Sequence, residues 1–72
     1  KMKRIKTNEF ADKFADYVVW ETNNGDFILR SDEVTDEHKE HGSIASVSTF
    51  ASRWEHYDTF VLNELGEIKI DL

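Results

Sequence analysis

Cysteine and proline are both absent from this 72-residue chain, while glycine occurs three times and methionine once. Without cysteine there is no disulfide scaffold, no cysteine-ligated zinc and no thiol nucleophile. No apolar run is longer than residues 17–20, so the sequence offers neither a membrane span nor the apolar core of a signal peptide. The expected compartment is the cytosol. A phosphate-binding loop, a dinucleotide fingerprint, a Gly-x-Ser-x-Gly elbow and the His-Glu-x-x-His zinc spacing are missing as well. Lysine and arginine are not interleaved with the aromatic residues, as stacking on single-stranded RNA requires. No linker composition divides the chain, and its length fits one domain. A domain this small buries only about 60% of the surface its unfolded chain exposes, so its stability is expected to be marginal.

What the chain has in excess is acid. Nine basic and fifteen acidic residues give a net charge of −6. Lys1, Lys3, Arg4 and Lys6 hold four of the nine basic residues, which leaves residues 7–72 with a net charge of −10. Small domains often carry a net charge of about 2–8 for solvation alone, and the body of this one lies just beyond that range. Such a polyanion repels nucleic acid and anionic membrane. It attracts a basic surface, at a rate that falls with salt. The basic residues 1–6 read as a flexible arm or a first strand.

Hydropathy patterning divides the remainder. Thr7 and Asn8 are candidate helix caps, with Glu9 in the first turn. Phe10, Ala11, Phe14, Tyr17 and Val18 follow at helical spacing, and the helix is expected to stop near Asp16. Glu9, Asp12 and Asp16 fall on its opposite face. Tyr17, Val18, Val19 and Trp20 are β-branched or aromatic and favour a strand. Asn24-Gly25 is a hairpin signal, and Phe27, Ile28, Leu29 and Arg30 supply the return strand. The competing reading runs the first helix on to Thr22, with Asn24-Gly25 as its C-cap; it leaves the helix apolar all round, so the hairpin is favoured. Residues 32–42 are the least apolar stretch, with Asp32, Glu33, Asp36, Glu37 and Glu40 against Lys39. They read as an exposed loop with a short helical turn, ending at Gly42. A second amphipathic helix carries Val47, Phe50, Ala51, Trp54 and Tyr57 inward, with Ser46 or Ser48 as its cap, and Asp58 and Thr59 break it. Phe60, Val61 and Leu62 lead through Gly66 into Ile68, Ile70 and Leu72, which alternate with Glu67, Lys69 and Asp71, a second hairpin. Lys69 is the kind of residue that blunts a sheet edge. The expected fold is α+β: an antiparallel sheet of about four strands from two hairpins, with two helices completing the core. The helix-then-hairpin order occurs twice, without a repeat in residue identity. Trp20 and Trp54 are the expected core anchors.

Candidate chemistry is sparse. His38 and His41 stand at i, i+3 beside Asp36 and Glu37 and could reach one divalent ion, but two exposed histidines in a charged loop are the commoner case. Ser43, Ser46, Ser48 and Ser52 lie near His56 and Asp58 without a nucleophile elbow. Carboxylate pairs are too abundant for any one to mark acid–base chemistry, and the chain has little room for a pocket that excludes water. No catalytic residue, metal or cofactor is expected. The residues expected to touch a partner are Glu9, Asp12 and Asp16 on the first helix and Asp32, Glu33, Asp36, Glu37 and Glu40 in the loop.

In format the chain resembles the small acidic proteins with which phages block bacterial defence, the anti-CRISPR and anti-restriction inhibitors: under 100 residues, no cysteine, compact α+β, polyanionic body. Residues 18–25 and 57–62 carry the impression. The resemblance implies a non-catalytic inhibitor inside the bacterial host cell that occupies a basic nucleic-acid-binding groove of a defence complex. It would act as a monomer or weak homodimer, without binding nucleic acid or membrane itself. Residues 4–30 also resemble the opening of Phd/YefM-type antitoxins through Ile5, Glu9-Phe10, Phe14, Tyr17-Val18, Asn24-Gly25 and residues 27–30. That resemblance implies a dimer that binds operator DNA. It departs after Arg30, where an acidic loop replaces the expected second hairpin, and at the C-terminus, which reads as a folded hairpin.

Overall fold

The computed structural model describes residues 2–71; Lys1 of the basic cluster and Leu72 of the last alternating strand lie outside them. Along the chain run β1 (Lys3–Lys6), α1 (Thr7–Lys13), β2 (Tyr17–Thr22), β3 (Gly25–Arg30), a 3-10 turn (Ser31–Glu33), α2 (Asp36–Glu40), β4 (Ser43–Ser46), α3 (Val47–Arg53), β5 (Thr59–Leu62) and β6 (Glu67–Ile70). The class is α+β, as expected. The sheet has six strands rather than about four, in the order β1-β5-β6-β3-β2-β4 and antiparallel throughout.

The two strands beyond the hairpins are the edges. Residues 3–6 of the basic cluster are β1, the strand of the two readings given for it, paired with β5 through Ile5 and Phe60. Residues 43–46, expected to lead directly into a helix, first form β4 against β2. Both are four residues long and carry too little pattern to declare themselves. Lys69 therefore does not blunt an edge: β6 lies inside the sheet between β5 and β3. Lys3, Arg4 and Lys6 do that work on β1.

Residues 17–22 are a strand, with Val19 opposite Ile28 and Trp20 opposite Phe27. The hairpin turns at Gly25, whose φ of 137° suits only glycine, as does the 82° of Gly66 in the β5–β6 turn. Helix α1 ends at Lys13, short of Asp16. Its N-cap is Lys6, with no side-chain bond. Thr7 is instead buried, and its hydroxyl donates to the Tyr57 carbonyl at 2.7 Å, tying the β1–α1 junction to the connection between α3 and β5. Ser46 does cap α3, accepting from the Thr49 N–H.

The core lies between one side of the sheet and the pair α1 and α3. Phe10 and Phe50 from the helices close on Phe60 of β5, with ring centroids 4.9–6.2 Å apart. Ile5, Val19, Val47 and Ile68 fill in around them. The tryptophans are not its anchors. Trp54 is half-buried against Phe50. Trp20 follows the buried Val19 in β2 and so points to the opposite side of the sheet.

The doubled order of elements is a structural two-fold. Exchanging β1 with β4, β2 with β5 and β3 with β6 leaves the strand order unchanged. Each half is β-α-β-β, and each lends its first strand to the other half's hairpin. Phe10 corresponds to Phe50, Ala11 to Ala51, Lys13 to Arg53 and Phe14 to Trp54. The strand registers then match Val19 to Phe60, both 0% exposed. The segment between Arg30 and Ser43, with its 3-10 turn and α2, has no counterpart.

Candidate functional site

All eight carboxylates expected to face a partner are exposed. The fold divides them. Glu9 and Asp12 ride on α1, over the core side of the sheet. Asp36, Glu37 and Glu40 ride on α2, which packs against β4 and covers Trp20 on the other side. Asp16, Asp32 and Glu33 lie between the two sets at one end of the strands. There both the N–H and the hydroxyl of Ser31 donate to the Asp16 carbonyl at 3.0 Å, joining the end of the first helical segment to the 3-10 turn.

Three of the eight already have local partners. Glu9 pairs with Lys13 one helical turn on at 3.7 Å, and Asp32 with Arg30 at 3.7 Å. Glu33 accepts from the Arg30 N–H at 3.2 Å. The Arg30 guanidinium stands 5.4 Å above the Tyr17 ring. Its hydrogen bond to Tyr17, with the charges of Asp32 and Asp16, raises its pKa above the ordinary arginine value. Asp36, Glu37 and Glu40 form no ion pair among the described residues.

The position of α2 is set by a few contacts that sequence reasoning missed. A five-residue helix has no stability of its own. Thr35 caps it: its hydroxyl accepts from the His38 N–H at 3.2 Å, and His38 Nδ1 accepts in return from the Thr35 N–H at 3.0 Å. Trp20 then anchors it. The indole Nε1–H donates to the His38 carbonyl at 2.8 Å, and the two rings meet edge to face at 4.8 Å. Gly42 lets the chain leave α2 close against β2, since a Cβ there would come 2.5 Å from the Glu21 carbonyl oxygen and 2.7 Å from Trp20 Nε1. The signals were legible in part. Threonine before two acidic residues marks a helix start, and alternation from Val19 puts Trp20 on the side away from the core.

A second charged cluster was also missed. Glu21 and Asp26 are directly opposite on β2 and β3, and Arg53 of α3 bridges to Glu21 at 2.5 Å. Burial raises the Asp26 pKa above the usual carboxylate value; Glu21 and Glu67 push it the same way and Arg53 opposes them.

Among the described residues no group of histidines and carboxylates is arranged to hold a metal ion, and no helix is long and apolar enough to cross a membrane. A cleft of about 400 Å3 opens between α1 and α3, lined by Lys6, Asn8, Ser48, Ser52, Glu55 and Asp58 among others. None of the eight expected contact residues borders it. No family model matches the chain, and neither a curated protein nor a solved structure matches it.

Proposed function

We propose that this protein is a non-catalytic protein-binding module that presents the carboxylates of its connector, residues 31–42, to a basic surface. One observation carries the reading. The most acidic stretch of the chain carries the 3-10 turn and α2, which have no counterpart in the other half among the described residues, and Trp20 pins it to the sheet. Function concentrates on segments that a scaffold positions and does not need for its own core. Carboxylates held this way act through a summed field, which speeds encounter with a basic groove and aligns the complex. The groove that fits best is one that otherwise takes nucleic acid, so the module would act as a competitor of DNA or RNA. Asp36, Glu37 and Glu40 lead the contact, Asp32 and Glu33 extend it, and Asp16 continues it around the strand ends toward Asp12 and Glu9. It is the mode of action that the resemblance to small acidic phage inhibitors of bacterial defence implies.

The test is capture from a bacterial lysate on immobilised protein, beside the variant Asp36→Lys/Glu37→Lys/Glu40→Lys. The expected partner is a nucleic-acid-handling complex that high salt and added duplex DNA both release and that the variant does not retain. Equal retention by a variant with a native circular-dichroism spectrum would overturn the reading. So would retardation of duplex DNA by the protein itself.

A further inference from the structure

Among the described residues, the side of the sheet away from the core is covered over only one of its halves. The internal two-fold matches Trp20 to Val61, Ile44 to Arg4 and Phe27 to Lys69. Over Trp20 and its neighbours lies α2, packed on β4 and bonded to the indole. Over the matching row of Arg4, Val61 and Lys69, adjacent across β1, β5 and β6, the described residues place no element. Arg4 and Lys69 are exposed and Val61 is half-buried. Among the described residues, Met2 and Leu65, 70% and 82% exposed, are the large apolar residues left in solvent. They stand at the start of β1 and in the β5–β6 turn, at one end of that same half.

The exchange of Ile44 and Phe27 for Arg4 and Lys69 changes what cover would fit. Where the covered half takes the His38 side of α2, through its ring and its backbone carbonyl, the open half offers an apolar centre between two cations. Its complement is a short acidic helix. The chain carries one: His38 turns α2 toward the sheet, while Asp36, Glu37 and Glu40, with Lys39 among them, face outward.

We propose that two copies associate through this side of the sheet, each laying the outer face of α2 on the Arg4–Val61–Lys69 row of the other. The contact is reciprocal, as a two-fold dimer requires, and both sheets gain the cover that one half of each lacks. Arg4 now bonds Asp71 at 2.9 Å. That pair is exposed and contributes little, so Arg4 can turn to a new carboxylate at small cost. The dimer should weaken with salt. It does not depend on the partner-binding reading above.

Sedimentation equilibrium of the full chain tests it. The expected result is a concentration-dependent dimer at low salt that dissociates at high salt. Arg4→Glu/Lys69→Glu and Asp36→Lys/Glu40→Lys should each weaken self-association by about tenfold or more. Mixed together, the two variants should form a heterodimer, because both reciprocal contacts are then of opposite sign again. A chain that stays monomeric at low salt up to millimolar concentration would overturn the proposal. A dimer indifferent to both variants would do so too, by placing the contact elsewhere, as would two folded variants that fail to pair. Arg4→Glu/Lys69→Glu also separates the two readings, since it removes self-association and leaves the partner-binding carboxylates intact.

Discussion

Asp26 and Ile68 face each other across β3 and β6, at the point where the internal two-fold passes through the sheet. The two positions are equivalent, but one holds an aliphatic side chain in the core and the other a carboxyl. Burial and the neighbouring carboxylates raise the pKa of Asp26. Between its unfolded and its folded pKa the native state therefore binds more protons than the unfolded chain. Stability contributed by this group is present at low pH and is lost as pH rises through that window. Asp26→Asn is expected to be more stable than the parent at neutral pH, and the advantage should vanish toward strongly acidic pH. Urea denaturation across that range measures it. Phe60, wholly buried among Phe10 and Phe50, gives the opposite extreme. Phe60→Ala should cost about 3–5 kcal/mol, close to the whole stability of a small domain, and leave the chain unfolded at room temperature by circular dichroism. Phe60 was legible only as part of the apolar run 60–62; that it faces the core follows from its pairing with Ile5 and Ile70. Asp26 was not legible as a perturbed carboxyl, because its neighbours Ile68 and Arg53 are far away in sequence.

At the scale of elements, legibility followed locality. The β2–β3 and β5–β6 hairpins were readable because each joins neighbouring strands through a glycine turn. The helices α1 and α3 were readable from their aromatic spacing, although both stop a turn earlier than the pattern does: Tyr17 and Tyr57 extend the periodicity past the last helical hydrogen bonds. The edge strands β1 and β4 find their partners far from themselves in sequence, and a sequence of four residues cannot announce a pairing with β5 or β2. The candidate acidic residues were legible one by one as exposed, but not the sheet that separates α1 from α2. The docking of α2 is the element most open to test. Trp20→Phe keeps an aromatic ring beside Phe27 and removes the donor to the His38 carbonyl. The loss should be about 1 kcal/mol. Hydrogen exchange should show it locally, with faster exchange at residues 36–42 and unchanged protection in β2, β3 and β6. Uniform acceleration throughout the sheet would mean that Trp20 supports the whole fold and not the connector.

For the molecule as a whole, salt should act with opposite signs on folding and on association. The net charge is −6, and the ion pairs of the described residues involve side chains with substantial exposure. Screening such pairs loses little. Screening the surplus carboxylates relieves a repulsion that compaction worsens. Moderate salt is therefore expected to stabilise the fold, and a gain of about 0.5 kcal/mol would raise Tm by about 2–4 °C in a domain of this size. The same salt should weaken both complexes argued above, since each depends on carboxylates of α2 meeting cations on another molecule. Loss of binding at high salt then cannot be put down to unfolding. Thermal melts and binding measured side by side over one salt series decide the matter: Tm and affinity should move apart. If the two fell together, the connector would be coming loose from the sheet as ions screened it, and its carboxylates would be holding the fold together instead of serving a partner.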